Sequence, residues 1–498
     1  MTLIGSLLFT SCSVEDKETA KPNIIFILAD DLGWADLPTY GNKFNEAPAL
    51  EKLASEGMTF NNAYAACPVC SPTRASIQTG QYPARIGILD FIPGHWRPYE
   101  KVTVPINRVQ ALPNEAYTIG EVMKDAGYIT GYYGKWHLGY DKNTLPKAQG
   151  YDSAIVFNGG PFFNVGPKMT PRQKVDPTKV LSEVLTDFSL DFIDSNKDKP
   201  FFLTLAHYDV HVQLDADTSL IHHFLNKEKV DGYPCNAIYA AMIKHIDNSL
   251  ARIEAKLKEH DLSDNTMIIF YSDNGGLVMR FDKIPLIAKP RRYIYEGDTL
   301  MYVASSNAPL RNEKGTVFEG GIREPMIVKW PNKVTAGSKT DAVISSVDLL
   351  PTLAEIGAVN IPENVVVDGK SMLPTLLENN HDYERPIFWH YPVYHHDVPA
   401  SAIRKGDWKL IEYLDDNTVE LYNLSEDIGE SNDLSETNTA KKEELLGLLQ
   451  DWRESLNADM PVSNPEFDEN KRYEWGIHPD RERLFGKKKQ LMKDVIPK

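Results

Sequence analysis

Four apolar runs in this sequence are each followed at once by polar residues that can bind a ligand. Such runs are typical of buried β-strands, and helix-like stretches alternate with them, which predicts an α/β fold. In open α/β sheets, ligand sites lie just beyond the carboxyl ends of the strands. One polar strand end is ordinary loop composition, but four indicate one shared site. The runs and the residues that follow them are 23–28 with Asp30 and Asp31, a strand through Tyr133 with Lys135 and His137, 201–205 with His207, Asp209 and His211, and 267–271 with Asp273 and Asn274.

The chain is expected to divide into domains, because 498 residues are too many for one compact core. Helices are predicted over 49–57, 118–127 and 240–260. Past about residue 385 the pattern changes to paired strands over 402–411 and 419–424, followed by an amphipathic helix over 441–456. We predict a signal and linker over 1–21, a large α/β domain over 22–385, a small sheet-plus-helix domain over 386–476 and a surface extension over 477–498.

The N-terminal residues have the pattern of an export signal. An apolar stretch over residues 3–9 leads into Thr10, Ser11 and Cys12, and charged residues begin at Glu15. This is typical of a lipoprotein signal with Cys12 as the lipid-anchored residue, although no Lys or Arg precedes the apolar stretch. We expect a periplasmic or outer-membrane-anchored protein. The alternative is a disordered N-terminus.

The charge balance limits the possible ligands. The formal net charge is −17, from 53 basic and 70 acidic residues. This excess opposes bulk attraction of nucleic acid, so no such partner is expected, and any anionic substrate needs a local cluster of cations. Cys67 and Cys70 form a C-x-x-C that suits a redox pair or half a zinc site, but no second pair accompanies it.

Oxygen-bearing side chains at two of the strand ends predict a metal site. Asp30 and Asp31 follow the first strand, and Asp273 and Asn274 follow another. Hard oxygen ligands suit Ca²⁺ or Mg²⁺ rather than zinc, and we expect Ca²⁺ ahead of Mg²⁺. Each pair alone is also a common turn or cap composition, which is the alternative.

The stretch from Cys70 to Gly80 is the most specific motif in the chain. It reads Cys70-Ser71-Pro72-Thr73-Arg74, then A-S-I-Q-T-G. C-x-P-x-R followed by A-S-x-x-T-G resembles the signature of the sulfatases, in which a maturation enzyme oxidises the cysteine to formylglycine. The resemblance therefore implies such an enzyme as a partner. The alternatives are a small buried hydrophobe or a reactive thiol at Cys70, and a surface arginine at Arg74.

The resemblance runs from about residue 23 to 456 and implies further site residues. Lys135 and His137 lie in G-K-W-H-L-G, and Lys314 precedes E-G-G-I-R; both lysines match cations that bind sulfate. His211 matches the histidine of a P-H-x-P segment, but its neighbours differ here, so His207 competes with it. The Glu-Gly-Gly and Arg323 of the second motif are expected to be structural. The implied metal ligands are Asp30, Asp31, Asp273, Asn274 and the oxidised Cys70.

The implied fold is that of the alkaline phosphatase superfamily, a large mixed sheet between helices with a small C-terminal antiparallel sheet and helix. The implied mechanism uses the hydrated aldehyde at position 70 to attack sulfur. Lys135, Lys314 and the metal stabilise charge on the sulfuryl oxygens, and Arg74 fixes the aldehyde hydrate. His211 protonates the leaving sugar oxygen, and His137 takes a proton as sulfate departs.

Three other functions compete with sulfate ester hydrolysis. The nearest is a phosphodiesterase or phosphonate monoester hydrolase on the same fold, some of which share C-x-P-x-R. A non-catalytic glycan-binding surface lipoprotein is the second. A thiol-redox protein using Cys67 and Cys70 is the third, and Cys67 is otherwise expected to be a packing residue.

The substrate is suggested by a C-terminal segment. Residues 390–396 read H-Y-P-V-Y-H-H and resemble a bacterial polysaccharide sulfatase branch that often acts on sulfated galactose or N-acetylgalactosamine. Clustered His and Tyr beside Arg404 suit a sugar ring, and residues 277–306 could form another wall. We therefore expect removal of sulfate from a terminal galacto-configured sugar. The alternative is a cluster that packs between the two domains.

Overall fold

The computed structural model describes residues 21–280, 284–380 and 382–480. The predicted signal with Cys12 and most of the predicted C-terminal extension lie outside the described residues. Within the described ranges, no helix is both long and apolar enough to cross a membrane.

The secondary structure alternates strands and helices over most of the chain. The strands are β1 Asn23–Ala29, β2 Met58–Tyr64, β3 Val102–Thr103, β4 Ile129–Gly134, β5 Ser153–Phe157, β6 Met169–Thr170, β7 Phe201–Ala206, β8 Thr266–Ser272, β9 Arg323–Lys329, β10 Ser338–Ser345, β11 Ile387–Tyr391, β12 Ala400–Lys405, β13 Trp408–Tyr413, β14 Val419–Asn423 and β15 Val462–Ser463. The helices are α1 Pro48–Glu56, α2 Cys70–Thr79, α3 Pro83–Ile86, α4 Ile119–Asp125, α5 Leu181–Asn196, α6 Thr218–Asn226, α7 Ala237–Glu259, α8 Glu319–Ile322, α9 Leu349–Gly357, α10 Leu373–Glu378 and α11 Thr439–Leu456.

Nine strands form one mixed sheet in the order β10-β2-β9-β8-β1-β7-β4-β5-β6. Its centre, β8 to β5, is parallel. β9 pairs antiparallel with β2 and β8, and β6 pairs antiparallel with β5. The predicted large mixed sheet is therefore confirmed. Four of the parallel strands, β8, β1, β7 and β4, are the four that were predicted to end in polar residues.

The central strand β1 shows why the sheet lies between two helical layers. All seven of its residues are buried. Ile25 and Ile27 pack into a cluster with α5, α6 and α7, whereas Phe26 and Leu28 pack into a second cluster with α4 and α9. Alternate residues of a strand point to opposite faces, so a continuous apolar run requires cover on both sides.

The small C-terminal sheet has four antiparallel strands, β11-β12-β13-β14. The predicted single strand over 402–411 is wrong. It is a hairpin, β12 and β13, that turns at Gly406, whose φ of 59° favours glycine. β11 was not predicted as a strand at all. It begins at Ile387, next to the predicted domain boundary at 385/386, although the boundaries themselves remain a prediction.

The helix of the small domain, α11, packs on this sheet with a slightly different face from the predicted one. Leu445 and Leu449 are buried as expected, but Leu448 and Trp452 are only partly buried. Arg453 is buried instead, and it donates to Glu412 Oε2 at 2.5 Å. The partly buried Trp452 stacks on Phe388 of β11, with ring centroids 4.7 Å apart.

Candidate active site

The carboxyl ends of β8, β1, β7 and β4 lie side by side because these strands are parallel neighbours. This brings together the polar residues that follow each strand, as the sequence predicted. A cavity of about 300 Å³ opens at this edge. Its lining includes five predicted residues: Cys70, Lys135, His137, His211 and Lys314.

Three carboxylates form the floor of the site. Asp30, Asp31 and Asp273 are at most 1% exposed, and one oxygen from each lies within 4.8 Å of the others. Asn274 donates through Nδ2 to Asp31 Oδ1 at 2.8 Å. Its Oδ1 is buried without a hydrogen-bond partner among the described residues. Three clustered carboxylates and an unpaired amide oxygen fit a hard divalent cation such as Ca²⁺ or Mg²⁺.

Three cations lie against these carboxylates. Lys135 Nζ is 2.6 Å from Asp30 Oδ2, and Lys314 Nζ is 2.6 Å from Asp31 Oδ1. Arg74 Nη2 is 2.7 Å from Asp273 Oδ2. The alternative that Arg74 is a surface arginine is wrong, because it is only 2% exposed. These are the local cations that an anionic substrate requires in a protein of negative net charge.

The pKa values of the carboxylates differ within this cluster. Burial alone would raise the pKa of Asp31, but Lys314 and His211 lower it overall. Burial raises the pKa of Asp273 to about 6 although Arg74 opposes the shift. A bound divalent cation would favour the ionised form of both carboxyl groups.

Cys70 is the first residue of α2, all ten residues of which are buried. Val69 precedes it in extended conformation, Pro72 is tolerated in the first turn, and Gly80 ends the helix at a φ of 66°. Cys70 Sγ is 3.2 Å from His137 Nδ1, and His137 Nε2 is 3.0 Å from the carbonyl of Ile92. His137 therefore donates to Ile92 through Nε2 and accepts from Cys70 through Nδ1.

Burial governs the titration of this pair. It raises the pKa of the Cys70 thiol, against the pull of Lys135 and Lys314. It also lowers the pKa of His137 well below its usual value, with Lys135 adding to the effect. His137 is thus a neutral ring, and Cys70 is not an activated thiolate.

The two candidate acids occupy different environments. His211 lines the cavity, 3.7 Å from Asp31 Oδ2 through Nε2, and its Nδ1 is 2.5 Å from the carbonyl of Val212. His207 is fully buried outside the cavity lining, and neither ring nitrogen has a partner among the described residues. The geometry supports His211, although its role as the acid stays a prediction.

The C-x-x-C splits between two environments. Cys67 packs in the apolar cluster between the two sheets, whereas Cys70 faces the cavity. Both are free thiols.

Glu319 and Arg323 form a buried contact between the sheets. Arg323 Nη1 is 3.3 Å from Glu319 Oε2, which agrees with the expected structural role.

The predicted sugar-binding segment 390–396 is also divided. His395 and His396 line the cavity. Tyr391 and Tyr394 belong to the buried cluster between the sheets. The prediction that Arg404 lies at the sugar site is wrong. Arg404 is buried at the domain interface, where it donates to Asn62 Oδ1 at 3.1 Å. The packing alternative thus holds for Tyr391 and Tyr394, and sugar binding by His395 and His396 stays a prediction.

Several wall residues were missed by sequence reasoning. Of the predicted wall over 277–306, Leu277 and Arg280 line the cavity. Tyr208 and Val212 lie beside the predicted His207 and His211 after β7, and Asn158 directly follows β5, whereas the other missed residues lie in a loop without a recognisable motif. The Tyr208 ring centroid is 5.0 Å from Lys135 Nζ. The missed lining residues are Phe91, Ile92, His95, Asn158, Tyr208 and Val212.

Comparison with known proteins identifies the family of this chain. The model of the Sulfatase family matches residues 22–358, more than half of the chain. The chain belongs to the sulfatase family. A second family model, N-sulphoglucosamine sulphohydrolase C-terminal, matches residues 312–455 of this sulfatase.

Individual relatives agree with this assignment. A sulfatase of Formosa agariphila is 31% identical, over 92% of this chain and 93% of its own. N-acetylgalactosamine-6-sulfatase of Rattus norvegicus is 31% identical, over 85% of this chain and 77% of its own. The crystal structure of Ps i-CgsB in complex with k-i-k-neocarrahexaose is 29% identical with a TM-score of 0.71, over 87% of this chain and 92% of that one. The protein is therefore an enzyme with sulfatase activity, on the expected alkaline phosphatase-like fold.

Proposed function

We propose that this sulfatase removes a sulfate ester from a terminal galacto-configured sugar, galactose or N-acetylgalactosamine, with an oxidised Cys70 and a bound Ca²⁺. The observation that carries the proposal is the position of Cys70 Sγ in the cavity, 3.2 Å from His137. Lys135 and Lys314 line the same cavity. In the unoxidised chain, this sulfur marks where the oxygen nucleophile would stand.

Formylglycine supplies an aldehyde hydrate, with one hydroxyl to attack sulfur and a second that lets sulfate leave. Its formation from Cys70 requires a maturation enzyme that oxidises the thiol. The neutral His137 holds an accepting nitrogen toward position 70, so it can take the proton of the second hydroxyl. Arg74 is fixed by Asp273 and by the Lys135 carbonyl, 2.8 Å from its Nη1, and so braces both the metal ligands and Lys135.

Asp30, Asp31, Asp273 and Asn274 would hold the metal, together with the oxidised residue 70. Ca²⁺ accepts such a set of oxygen ligands, with Mg²⁺ as the second choice. Bound there, the ion lowers the pKa of a hydroxyl and neutralises charge on the sulfate. Lys135 and Lys314 place two further positive charges toward the equatorial oxygens.

His211 is proposed to protonate the departing sugar oxygen. Burial lowers its pKa to about 3 in the substrate-free enzyme. A bound sulfate ester brings negative charge beside the ring and raises that pKa again. The acid is therefore formed mainly in the substrate complex.

The proposed substrate class rests on the cavity and on the relatives. A volume of about 300 Å³ is at the small end of ligand pockets, which suits one sugar with its sulfate and favours exo action. One relative is named for N-acetylgalactosamine 6-sulfate, and a similar structure was solved with a neocarrahexaose. Export as a lipoprotein to the periplasm or outer membrane would bring the enzyme into contact with large sulfated glycans outside the cytoplasm.

The proposal is tested by mass spectrometry of the Cys70 peptide, metal analysis and a screen of sulfated sugars. We expect formylglycine in the active enzyme, one equivalent of Ca²⁺ and a preference for galacto-configured monosaccharide sulfates. Fully active enzyme with an intact Cys70 thiol, or stoichiometric zinc, would overturn the mechanism. Preference for glucosamine sulfates or rapid cleavage within polymers would overturn the substrate assignment, and faster turnover of an aryl phosphate than of an aryl sulfate would favour a phosphodiesterase.

The role of His211 has a separate test. A leaving-group acid matters most for poor leaving groups such as sugar alcohols. His211→Ala should reduce kcat for a sugar sulfate by about 10²- to 10⁴-fold and reduce that for an aryl sulfate much less. An equal loss on both substrates, or a selective loss in the matched His207→Ala variant, would refute the assignment.

A further inference from the structure

The last described segment of the chain, residues 462–480, lies past the end of both matched family models, which stop at residues 358 and 455. We call it the C-terminal strap. The sequence predicted a small-domain end at 476 and a surface extension beyond it. That boundary remains a prediction; of the described residues beyond it, His478 and Asp480 are each 6% exposed, whereas Ile477 is 41% exposed. What the strap covers is the loop of residues 90–101, which we call the wall loop.

Backbone contacts join the strap to the wall loop along its length. β15 of the strap pairs antiparallel with β3, which directly follows the wall loop. The N–H groups of Asn464, Asp468 and Gly476 donate to the carbonyls of residues 101, 99 and 96, at 3.2, 3.2 and 2.9 Å. Such spaced contacts fix the path of a loop that has no regular structure of its own.

Side chains of the strap also contact the wall loop. Arg472 is 3.1 Å from Glu100 Oε2, and Asn464 Nδ2 donates to the carbonyl of Glu100 at 2.7 Å. A Cβ on Gly94 would lie 2.7 Å from His478 Nε2. Gly94 also has a φ of 112°, so this approach of strap and loop requires glycine.

Three residues of the wall loop line the cavity, Phe91, Ile92 and His95, and among them His95 packs against Trp475 of the strap. The His95 ring centroid lies 4.0 Å from that of His395, 4.3 Å from that of Phe91 and 5.2 Å from that of Trp475 in the strap. His95 Nδ1 is 3.3 Å from Asp90 Oδ2. Trp475 is also covered by Arg97, whose Cζ is 4.2 Å from the ring centroid. His95 and His395 both line the cavity, and Trp475 itself does not.

We propose that the C-terminal strap completes the substrate pocket, with Trp475 as a positioning residue that holds His95 against His395. The paired imidazoles then form a wall that contacts the sugar ring of the substrate. The inference rests on the proposed sugar sulfate substrate, and it adds which residues contact the sugar ring.

The test compares Trp475→Ala and His95→Ala with the wild-type enzyme on a galacto-configured monosaccharide sulfate and on 4-nitrophenyl sulfate. An aromatic contact is worth a few-fold to about tenfold in affinity. We expect KM for the sugar sulfate to rise by about three- to tenfold in both variants with kcat nearly unchanged, and KM for the aryl sulfate to rise clearly less. Trp475→Phe should restore most of the loss. Phe467→Ala, an exposed aromatic of the same strap, is the matched control and should behave as wild type.

Equal losses on both substrates in Trp475→Ala would show a merely structural strap and overturn the proposal, as would unchanged KM values. Binding of the same sugar sulfate by calorimetry in the Cys70→Ala background gives a second measurement without turnover. There, adding Trp475→Ala should weaken binding by the same factor, and undiminished affinity would overturn the proposal. A wild-type enzyme that binds the sugar sulfate but does not hydrolyse it would instead contradict the proposed function.

Discussion

Two buried charge clusters in this sulfatase resemble each other in composition but differ in what surrounds them. The first is the site cluster of Asp30, Asp31, Asp273, Lys135, Lys314 and Arg74. The second, the interface cluster, comprises Glu319, Glu430, Lys409 and Arg323 and lies between the two sheets. Lys409 Nζ is 3.0 Å from Glu319 Oε1 and 2.7 Å from Glu430 Oε1, and all three side chains are fully buried. Each cluster pairs carboxylates with cations at hydrogen-bond distance.

Perturbed pKa values do not separate the two clusters. Burial opposes ionisation at Glu319, yet Lys409 and Arg323 lower its pKa to about 2. Burial raises the pKa of Glu430 to about 7. The site cluster shows the same pattern, with the pKa of Asp31 lowered and that of Asp273 raised to about 6. Buried ion pairs that hold a structure together shift pKa values as strongly as a catalytic site does.

Access to a cavity separates them instead. Lys135, Lys314 and Cys70 line a cavity, and the Asn274 Oδ1 atom beside them has no partner among the described residues. The interface cluster is enclosed, with Glu319 also accepting from the Tyr64 hydroxyl at 2.6 Å. We therefore expect substitutions in the first cluster to alter catalysis, and those in the second to alter stability.

Cys70→Ala should have the largest effect, because it removes the proposed nucleophile. Turnover of any sulfate ester should fall by about 10⁴-fold or more. The unfolding midpoint in urea should stay near that of the wild type, since alanine fits the first turn of α2. Steady-state kinetics and urea unfolding check the two halves of this prediction, and substantial residual turnover would contradict it.

Lys409→Met should chiefly affect stability. Removing one partner of a buried ion pair leaves an uncompensated charge and costs about 3–5 kcal/mol. The free energy of unfolding should fall by that order, while kcat of the folded enzyme stays near wild type. The matched control is Lys370→Met, whose pair with Asp382 is more than half exposed on both sides and should change stability by at most about 1 kcal/mol. A large loss of kcat in folded Lys409→Met would erase the distinction between the clusters.

Lys314→Ala tests the same comparison by a change in the site cluster. Loss of one cation that stabilises transition-state charge typically lowers kcat by about 10²- to 10³-fold. With Ca²⁺ present, the charge of Asp31 remains compensated, so the stability loss should be smaller than in Lys409→Met. Kinetics and urea unfolding in Ca²⁺ test this, and a stability loss equal to that of Lys409→Met with intact kcat would reverse the assignment.

Cys67→Ala should have the smallest effect. Cys67 packs in the apolar cluster between the sheets and does not line the cavity. We expect kcat within about twofold of wild type and a stability loss of about 1 kcal/mol, as for a small change in buried volume. A loss of activity comparable with that of Cys70→Ala would revive the thiol-redox hypothesis.

The sequence by itself determined the catalytic half of the site. Continuous apolar runs can only be buried strands of a covered sheet, and parallel neighbours place their carboxyl ends together. Asp30, Asp273 and Lys135 were therefore predictable as site residues from local pattern, whereas Cys70 and the choice of His211 over His207 came from the family resemblance. The predicted strand over 402–411 missed the turn that Gly406 and Asp407 mark in its middle, because the residues on either side of the turn both favour strands.

Only the tertiary structure decided the walls of the pocket. His95 and Trp475 are far apart in the chain and carry no motif, and they meet because β15 pairs with β3. His395 faces the cavity while Tyr391, in the same segment, packs between the sheets. Local composition cannot distinguish these fates, since a loop side chain takes its direction from the surfaces that pack against it rather than from its own neighbours in sequence.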